Sequence, residues 1–203
     1  DHRDLHSFPT RRSSDLPPFE NLYFVDQEDE CVKITGAKNV IIRNLNAIGA
    51  GNDGFGFHGG CENLVFENCS AILCGDEGTS AHGDAQAEYR RSVFAWTGSF
   101  GGGANDVHQS RTSYLNCVSG FNSGTGFSLM GAEHVLTDSC SVGNNQAQSK
   151  KNLPPLTVTK TNLLELPNSP NLKANLESLA LTNPQIAVLV GLGKKYRLRP
   201  FNQ

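Results

Sequence analysis

The chain has no apolar run approaching the roughly 18 residues of a membrane-spanning helix, so no span is expected in its 203 residues. Bulky side chains are sparse. Aromatics make up 8%, with one Trp and one Met, which argues against a large helical bundle packed by big hydrophobes. A net charge of −3 argues against nucleic-acid binding through a basic surface. There is no C-x-x-C pair to suggest a zinc site. No glycine loop has phosphate-cradling spacing, and no serine sits in G-x-S-x-G. Glycine, in contrast, is abundant at 21 residues, above the average of ~7%. That favours many turns and close backbone approaches.

Residues 1–16, DHRDLHSFPTRRSSDL, back-translate without a break into a widely used short-read sequencing adapter. They are set apart as non-native before the fold is considered. On this reading the native sequence enters at Pro17, part-way through a longer protein, and a signal peptide and some catalytic residues would lie upstream.

The remaining charge is uneven. Residues 17–148 carry six Lys/Arg against fifteen Asp/Glu, a net of −9, whereas residues 149–203 carry eight against two, a net of +6. An acidic body is joined to a basic tail. Such a body repels a polyanion unless a cation bridges them.

An internal repeat dominates the body. NVIIRNLNAIGAGNDGFGFHGG, from Asn39, aligns without a gap on NLVFENCSAILCGDEGTSAHGD, from Asn63, at a spacing of 24. Asn44/Asn68, Ala47/Ala71, Gly54/Gly78 and His58/His82 are identities. The same spacing extends Gly54 to Gly78, Gly102 and Gly126. A repeat of this length holding three short β-rich runs is one turn of a parallel β-helix, whose strands pair with copies one coil away at ~4.8 Å. The runs begin near Phe55, Leu64 and Cys69. Leu45, Cys69, Val93, Cys117 and Cys140 are expected to stack inward. Asn44, Asn68, Ser92, Asn116 and Ser139 precede them at a turn where Asn tolerates left-handed angles. The glycine column is expected to mark a second bend of that kind.

NVIIRN, NLVFENC, YLNC and the asparagine ladder make residues 20–145 resemble the right-handed parallel β-helix superfamily, the pectate lyase-like fold. The resemblance implies an all-β solenoid and a secreted or cell-surface protein. Its members include polysaccharide lyases, hydrolases, epimerases, esterases and non-catalytic surface proteins, so fold does not decide activity. Asp29-Glu30-Cys31 faintly resembles the DDC segment of polygalacturonases but lacks the paired Asp. Those catalytic roles are not transferred.

Chemistry-bearing residues gather around the first run. Phe55 and Phe57 are expected inward, leaving His58 and His82 stacked outward. Two charged imidazoles at one strand spacing repel, so at least one is expected to lose its proton readily. Asp106 follows at strict spacing, and a two-residue insertion near Gly101–Gly103 would bring His108 there instead. Asp53, Asp76 and Glu77 gather at the strand entrance, with Asp29 or Glu30 before them. Asp84 follows His82, and Arg90 and Arg91 lie past the next turn. Superfamily lyases often hold calcium with such acids, and the calcium binds a uronate carboxylate while a base removes the C5 proton. The resulting assignment makes His58, His82, Asp84 and Arg90 catalytic. It makes Arg91, Asp106 and His108 substrate-binding, and Asp53, Asp76 and Glu77 ligands of Ca²⁺. Trp96 is read as buried, and His134 as structural.

Residues 17–148 are thus expected to form the solenoid, and residues 149–203 a small cap. In that cap Ser169-Pro170 starts a short helix bearing Leu172, Leu176 and Leu179, and residues 185–192 and 196–199 read as strands. A Cys117–Cys140 disulfide is sterically open, since those residues would lie one coil apart. Two functions remain open. One is a monomeric lyase or epimerase acting on an acidic, uronate-containing polysaccharide with Ca²⁺. The other is a non-catalytic surface or carbohydrate-binding β-helix.

Overall fold

The computed structural model describes residues 19–98, 102–107, 109–145 and 157–202. The adapter-like segment and His108 lie outside the described residues. The chain winds as a parallel β-solenoid of about six turns, with about 24 residues per turn. Three sheets run along it. Sheet A has seven strands, including Ile41–Arg43, Leu64–Glu67, Gln86–Arg90, Arg111–Leu115 and Glu133–Thr137. Sheet B also has seven, including Asn46–Ile48, Ser70–Ile72, Val93–Ala95, Val118–Gly120 and Cys140–Val142. Sheet C has five: Val32–Thr35, Phe55–His58, Thr79–Ala81, Ala104–Asp106 and Phe127–Leu129.

Alternation along each strand decides what faces inward. Leu64 and Phe66 are fully buried while Val65 and Glu67 are not, as a strand with one wet face requires. Phe57, Phe66, Tyr89 and Tyr114 run up the interior, with Phe57 and Phe66 centroids 4.8 Å apart and Tyr89 stacked on Tyr114 at 4.7 Å. No coil buries these faces by itself, so each is stable only against its neighbours.

The corner between sheets A and B is built from left-handed residues. Asn21, Asn44, Asn68, Arg91, Asn116, Asp138 and Asn162 all have φ between +48° and +59°. Side-chain rungs join them: Asn44 Nδ2 donates to Asn21 Oδ1 at 3.1 Å, and Asn162 Nδ2 to Asp138 Oδ1 at 2.9 Å. Arg91 and Asp138 occupy the places expected for Ser92 and Ser139, because two coils are shortened before this corner. The neighbouring columns shift with them. The inward stack is Leu45, Cys69, Ser92, Cys117 and Ser139, tied by Cys69 N–H to Ser92 Oγ (3.2 Å) and Cys117 N–H to Ser139 Oγ (3.1 Å). Val93 and Cys140 instead belong to the apolar layer outside sheet B. Cys117 lies inside the solenoid, so Cys117 and Cys140 are on opposite faces. All six cysteines are free and buried.

The glycine column proves to be Gly54, Gly78, Gly103 and Gly126, and Gly54, Gly78 and Gly126 are not left-handed. Close approach selects them. A Cβ on Gly54 would lie 2.4 Å from the Ala71 Cβ and 2.6 Å from the Gly78 carbonyl oxygen. Gly102, at φ +80°, stands in register with Glu77 and Thr125, in a loop that runs two residues longer from Gly98 to Gly103 than from Gly75 to Gly78.

The solenoid continues past residue 148. Thr157–Thr161 pairs with Glu133–Thr137, and Leu164–Leu166 with Cys140–Val142. Two helices follow, α1 (Leu172–Leu179) and α2 (Pro184–Lys195). The segment 185–192 is therefore helical rather than extended. Its apolar run disguises a helical face, Ile186, Leu189, Val190 and Gly193, and all four are buried. Asn183 caps α2, its Oδ1 accepting the Gln185 and Ile186 N–H groups at 3.0 Å, and Pro184 follows at the first turn. Nor is 196–199 a strand. The helices cover the apolar outer face of sheet B. There Trp96 stacks on Phe121 at 5.4 Å and donates from Nε1 to the Arg199 carbonyl at 2.7 Å. No helix among the described residues is long and apolar enough to cross a membrane.

Candidate functional site

The outer face of sheet C carries the polar constellation. Phe55 and Phe57 point into the core, so Gly56 and His58 point out. Gly56 pairs with Ser80, Ser80 with Asn105, and Asn105 with Ser128, giving a row of small or polar residues. Beside this row the His58 and His82 rings stack, with centroids 5.2 Å apart and planes 8° from parallel.

Acids line the other end of these strands. Register places Glu30, Asp53 and Glu77 in one column, since Val32 pairs with Phe55 and Phe55 with Thr79. Carboxylate oxygens of Asp53, Asp76 and Glu77 lie within 4.8 Å of one another. Asp53 and Glu77 are only 5% and 7% exposed, so their positions are set by protein contacts. Asp53 accepts from the Glu77 N–H at 3.1 Å and from the Ser80 hydroxyl. Asn105 Nδ2 donates to Glu77 Oε1 at 3.1 Å.

A Ca²⁺ ion binds 6–8 oxygens at about 2.3–2.6 Å, so ligand oxygens around one ion fall within roughly the separation seen here. Three acidic side chains fit such an ion while leaving coordination positions for water or a ligand carboxylate. The oxygens already accepting hydrogen bonds keep lone pairs for it.

Two further residues complete the groove. The Glu30 side chain, 5% exposed, reaches over Gly56. Its Cγ is 3.2 Å from where a Gly56 Cβ would stand. Glu30 Oε1 accepts from Lys33 Nζ at 3.0 Å and lies 3.7 Å from His58 Nε2. His58 Nε2 and Asn105 Oδ1 are buried atoms without a hydrogen-bond partner. Sequence spacing pointed to Glu30 only loosely, because its coil is one residue short. It assigned no role to Ser80 or Asn105, whose part comes from facing outward beside the acids.

The structure sets the His58–His82 stack at one end of the sheet C strands and the Asp53, Asp76 and Glu77 cluster at the other, with Ser80 between them donating to Asp53. It separates the rest. Asp84 caps a turn: its Oδ1 accepts the Gly60 N–H at 2.6 Å, which holds its pKa below the usual value. Arg90 ends a sheet A strand and pairs with Glu88. Arg91 occupies the A–B corner and pairs with Glu67. Neither stands on sheet C. His108 lies outside the described residues.

Asp106 is displaced in a different way. It pairs with Ala81 and Leu129, not with His82. The corner at Arg91 comes one residue early and the loop after it runs two residues long, a net gain of one that moves Asp106 from the outward to the inward row. It is fully buried, with Oδ2 accepting from the Tyr114 hydroxyl at 2.6 Å and the Thr112 hydroxyl at 2.7 Å. Thr112 Oγ1 also lies 2.7 Å from His134 Nδ1, and His134 Nε2 accepts the Gly131 N–H at 2.9 Å. That bond places the imidazole proton on Nδ1, where it faces Thr112. Burial raises the Asp106 pKa to about 6 and lowers that of His134 to about 4.

No family model matches this chain, and neither a curated protein nor a solved structure matches it.

Proposed function

We propose that the protein is an extracellular, monomeric β-helix protein that acts on an acidic, uronate-containing polysaccharide with Ca²⁺, as a lyase or an epimerase. The reading rests on one observation: the stacked His58 and His82 share an outward face with the Asp53–Asp76–Glu77 cluster. A cation on the acids would hold the uronate carboxylate and favour charge developing beside it. A neutral imidazole would take the C5 proton. That step is common to elimination and to C5 epimerisation. Resemblance to the pectate lyase-like superfamily supports the setting, an extracellular glycan matrix.

A second reading is non-catalytic binding of the same glycan through the cation. The pairing of Arg90 and Arg91 with glutamates away from the groove favours it, since among the described residues no arginine is left there to act on substrate.

The deciding experiment incubates the protein with polyuronates and Ca²⁺. Ultraviolet absorbance of the C4=C5 product reports elimination, and deuterium exchange at C5 reports epimerisation. Activity lost in His82→Ala, with the fold intact, supports an enzyme. Ca²⁺-dependent binding without either signal supports the second reading. Full activity of the His58→Ala, His82→Ala double variant would remove the histidines from the mechanism.

A further inference from the structure

We propose that Lys195, Tyr23 and Tyr196 form a carboxylate-binding subsite for an acidic polysaccharide, placed on the outer face of sheet B and independent of any metal. The inference rests on the reading of the protein as one that meets an acidic glycan. It adds a second place of contact, on a different sheet from the groove.

The subsite is built where the end of α2 meets the first strand of sheet B, Tyr23–Val25. Phe24 packs against the core, so Tyr23 faces out, and it is 53% exposed. The Tyr23 and Tyr196 hydroxyls lie 3.1 Å apart. Lys195 Nζ donates to the Tyr23 hydroxyl at 3.2 Å and stands 5.7 Å from the Tyr23 ring centroid and 4.9 Å from that of Tyr196. The negative faces of both rings attract the cation. An exposed lysine ordinarily ranges over many rotamers. This one is held, and neutral groups hold it. Among the described residues no carboxylate pairs with Lys195, whereas its neighbour Lys194 is taken by Glu177 at 2.8 Å.

A cation positioned without a counter-ion keeps donors to spare. The ammonium has three protons and Tyr23 uses one. Whichever phenol donates in the Tyr23–Tyr196 bond, one phenolic proton also remains. A carboxylate can accept from both kinds of donor in charge-assisted bonds. The exposed part of the Tyr23 ring adds apolar surface for the C–H face of the sugar that carries it.

The surrounding charge has the matching sign. Arg197 and Arg199 follow on the same segment, and both are exposed. That segment is fixed by the Leu198 N–H bond to the Gly193 carbonyl at 2.8 Å and by the Trp96 bond to the Arg199 carbonyl. Among the described residues neither arginine is ion-paired. Charge also chooses between polyanions. A planar anionic membrane would face the acidic body as well as the basic tail, and the body would repel it. A single flexible chain can touch the tail alone. Its other residues then meet the sheet C groove at a raised effective concentration.

The test is calorimetric binding of polygalacturonate in chelator, where no Ca²⁺ can bridge the groove to the polymer. The native protein should bind it, more weakly as salt rises, and should not bind the fully methyl-esterified polymer, which lacks the charge. Lys195→Gln should weaken binding about tenfold, the worth of one charge-assisted bond. Combined Lys195→Gln, Arg197→Gln and Arg199→Gln should abolish it. Tyr23→Phe, which keeps the ring and drops the hydroxyl that holds Lys195, should weaken it less. Thermal melts of these variants, with and without Ca²⁺, should match the native protein, since neither the core nor the acid cluster is touched. Unchanged affinity in Lys195→Gln overturns the proposal and reduces the three residues to a clasp between α2 and the first coil. Equal binding of the ester overturns it as well. Binding to phosphatidylserine vesicles but not to polygalacturonate would give the surface to a membrane instead. Binding by the native protein only in Ca²⁺ also overturns the proposal and leaves the sheet C reading standing. Binding in chelator that the triple variant loses, with neither turnover nor any effect of Ca²⁺, would sink the sheet C reading and leave this subsite in place.

Discussion

The Asp106 carboxyl lies 2.6 Å from the Tyr114 hydroxyl, inside the solenoid and away from all water. An acid in a β-helix interior is held by bonds to its neutral neighbours rather than by a counter-charge. Tyr114 and Thr112 both donate to Oδ2, while Oδ1 has no partner. Thr112 links the same oxygen to His134, so two titratable groups share one buried chain of hydroxyls.

Their pH effects should cancel. Between pH 4 and 6 the folded protein holds a proton on Asp106 (pKa about 6) and none on His134 (about 4). The unfolded chain, with 3.8 and 6.5, does the reverse. The number of protons bound is the same in both states, so the pair contributes no slope. In Asp106→Asn only His134 remains. Its lowered pKa makes stability rise with pH by up to about 1.4 kcal/mol per unit. In His134→Gln only Asp106 remains. Its raised pKa makes stability fall with pH by a similar amount. Denaturant unfolding across pH 4–6 checks this, and parallel profiles for the two variants would contradict it.

The repeat made the solenoid legible, because a parallel coil copies each residue type at a fixed spacing. His58 and His82 were placed correctly by that rule, as were Asp53 and Glu77. The rule fails where a coil gains or loses one residue. One residue lost before Arg91 moved Ser92 inward, and two gained between Gly98 and Gly103 outweighed that loss and turned Asp106 from the groove into the core. A period of two makes every such slip a change of face. Glu30 as a partner of His58 was not readable, because a glycine opposite makes the space for it. The α2 helix was misread because VLVGLG is apolar enough for either structure, and only contact with sheet B selects the helix.

Glycine positions should separate by contact rather than by residue type. Gly54→Ala places a methyl 2.4 Å from the Ala71 Cβ and 2.6 Å from a backbone oxygen, so a loss of about 1–3 kcal/mol is expected from overpacking. Gly191, inside α2, has nothing within 4 Å of an added Cβ. Gly191→Ala should gain about 0.5–1 kcal/mol. Thermal melts of the two should move in opposite directions.

The helical cover should be separable from the groove. Leu189 is fully buried between α2 and sheet B, and Leu189→Ala should lose about 2–5 kcal/mol. Hydrogen exchange should quicken in Val93–Ala95 and Val118–Gly120, the strands that α2 packs on. Ca²⁺ affinity should not change, because the acids stand at the ends of sheet C strands. Weaker Ca²⁺ binding in this variant would tie the two faces together.

The acid cluster makes the sharpest demand. Three carboxylates within 4.8 Å repel one another unless a cation sits among them. Asp53 and Glu77 are buried and hydrogen-bonded, so neutralising either disturbs more than charge. Asp76, the more accessible one, is the cleaner choice. In chelator, Asp76→Asn should melt higher than the native protein, because one repulsion is gone. In Ca²⁺ the order should reverse. A ligand at a hundredfold over its Kd stabilises by about 2.7 kcal/mol, which is several degrees for a chain of this size. The variant, with one ligand fewer, should gain less. Mg²⁺ should substitute poorly, since it holds its waters and demands tighter octahedral geometry. An equal Ca²⁺-induced rise in both proteins would place the ion elsewhere, and no rise in either would leave the acids as charge that the fold merely tolerates.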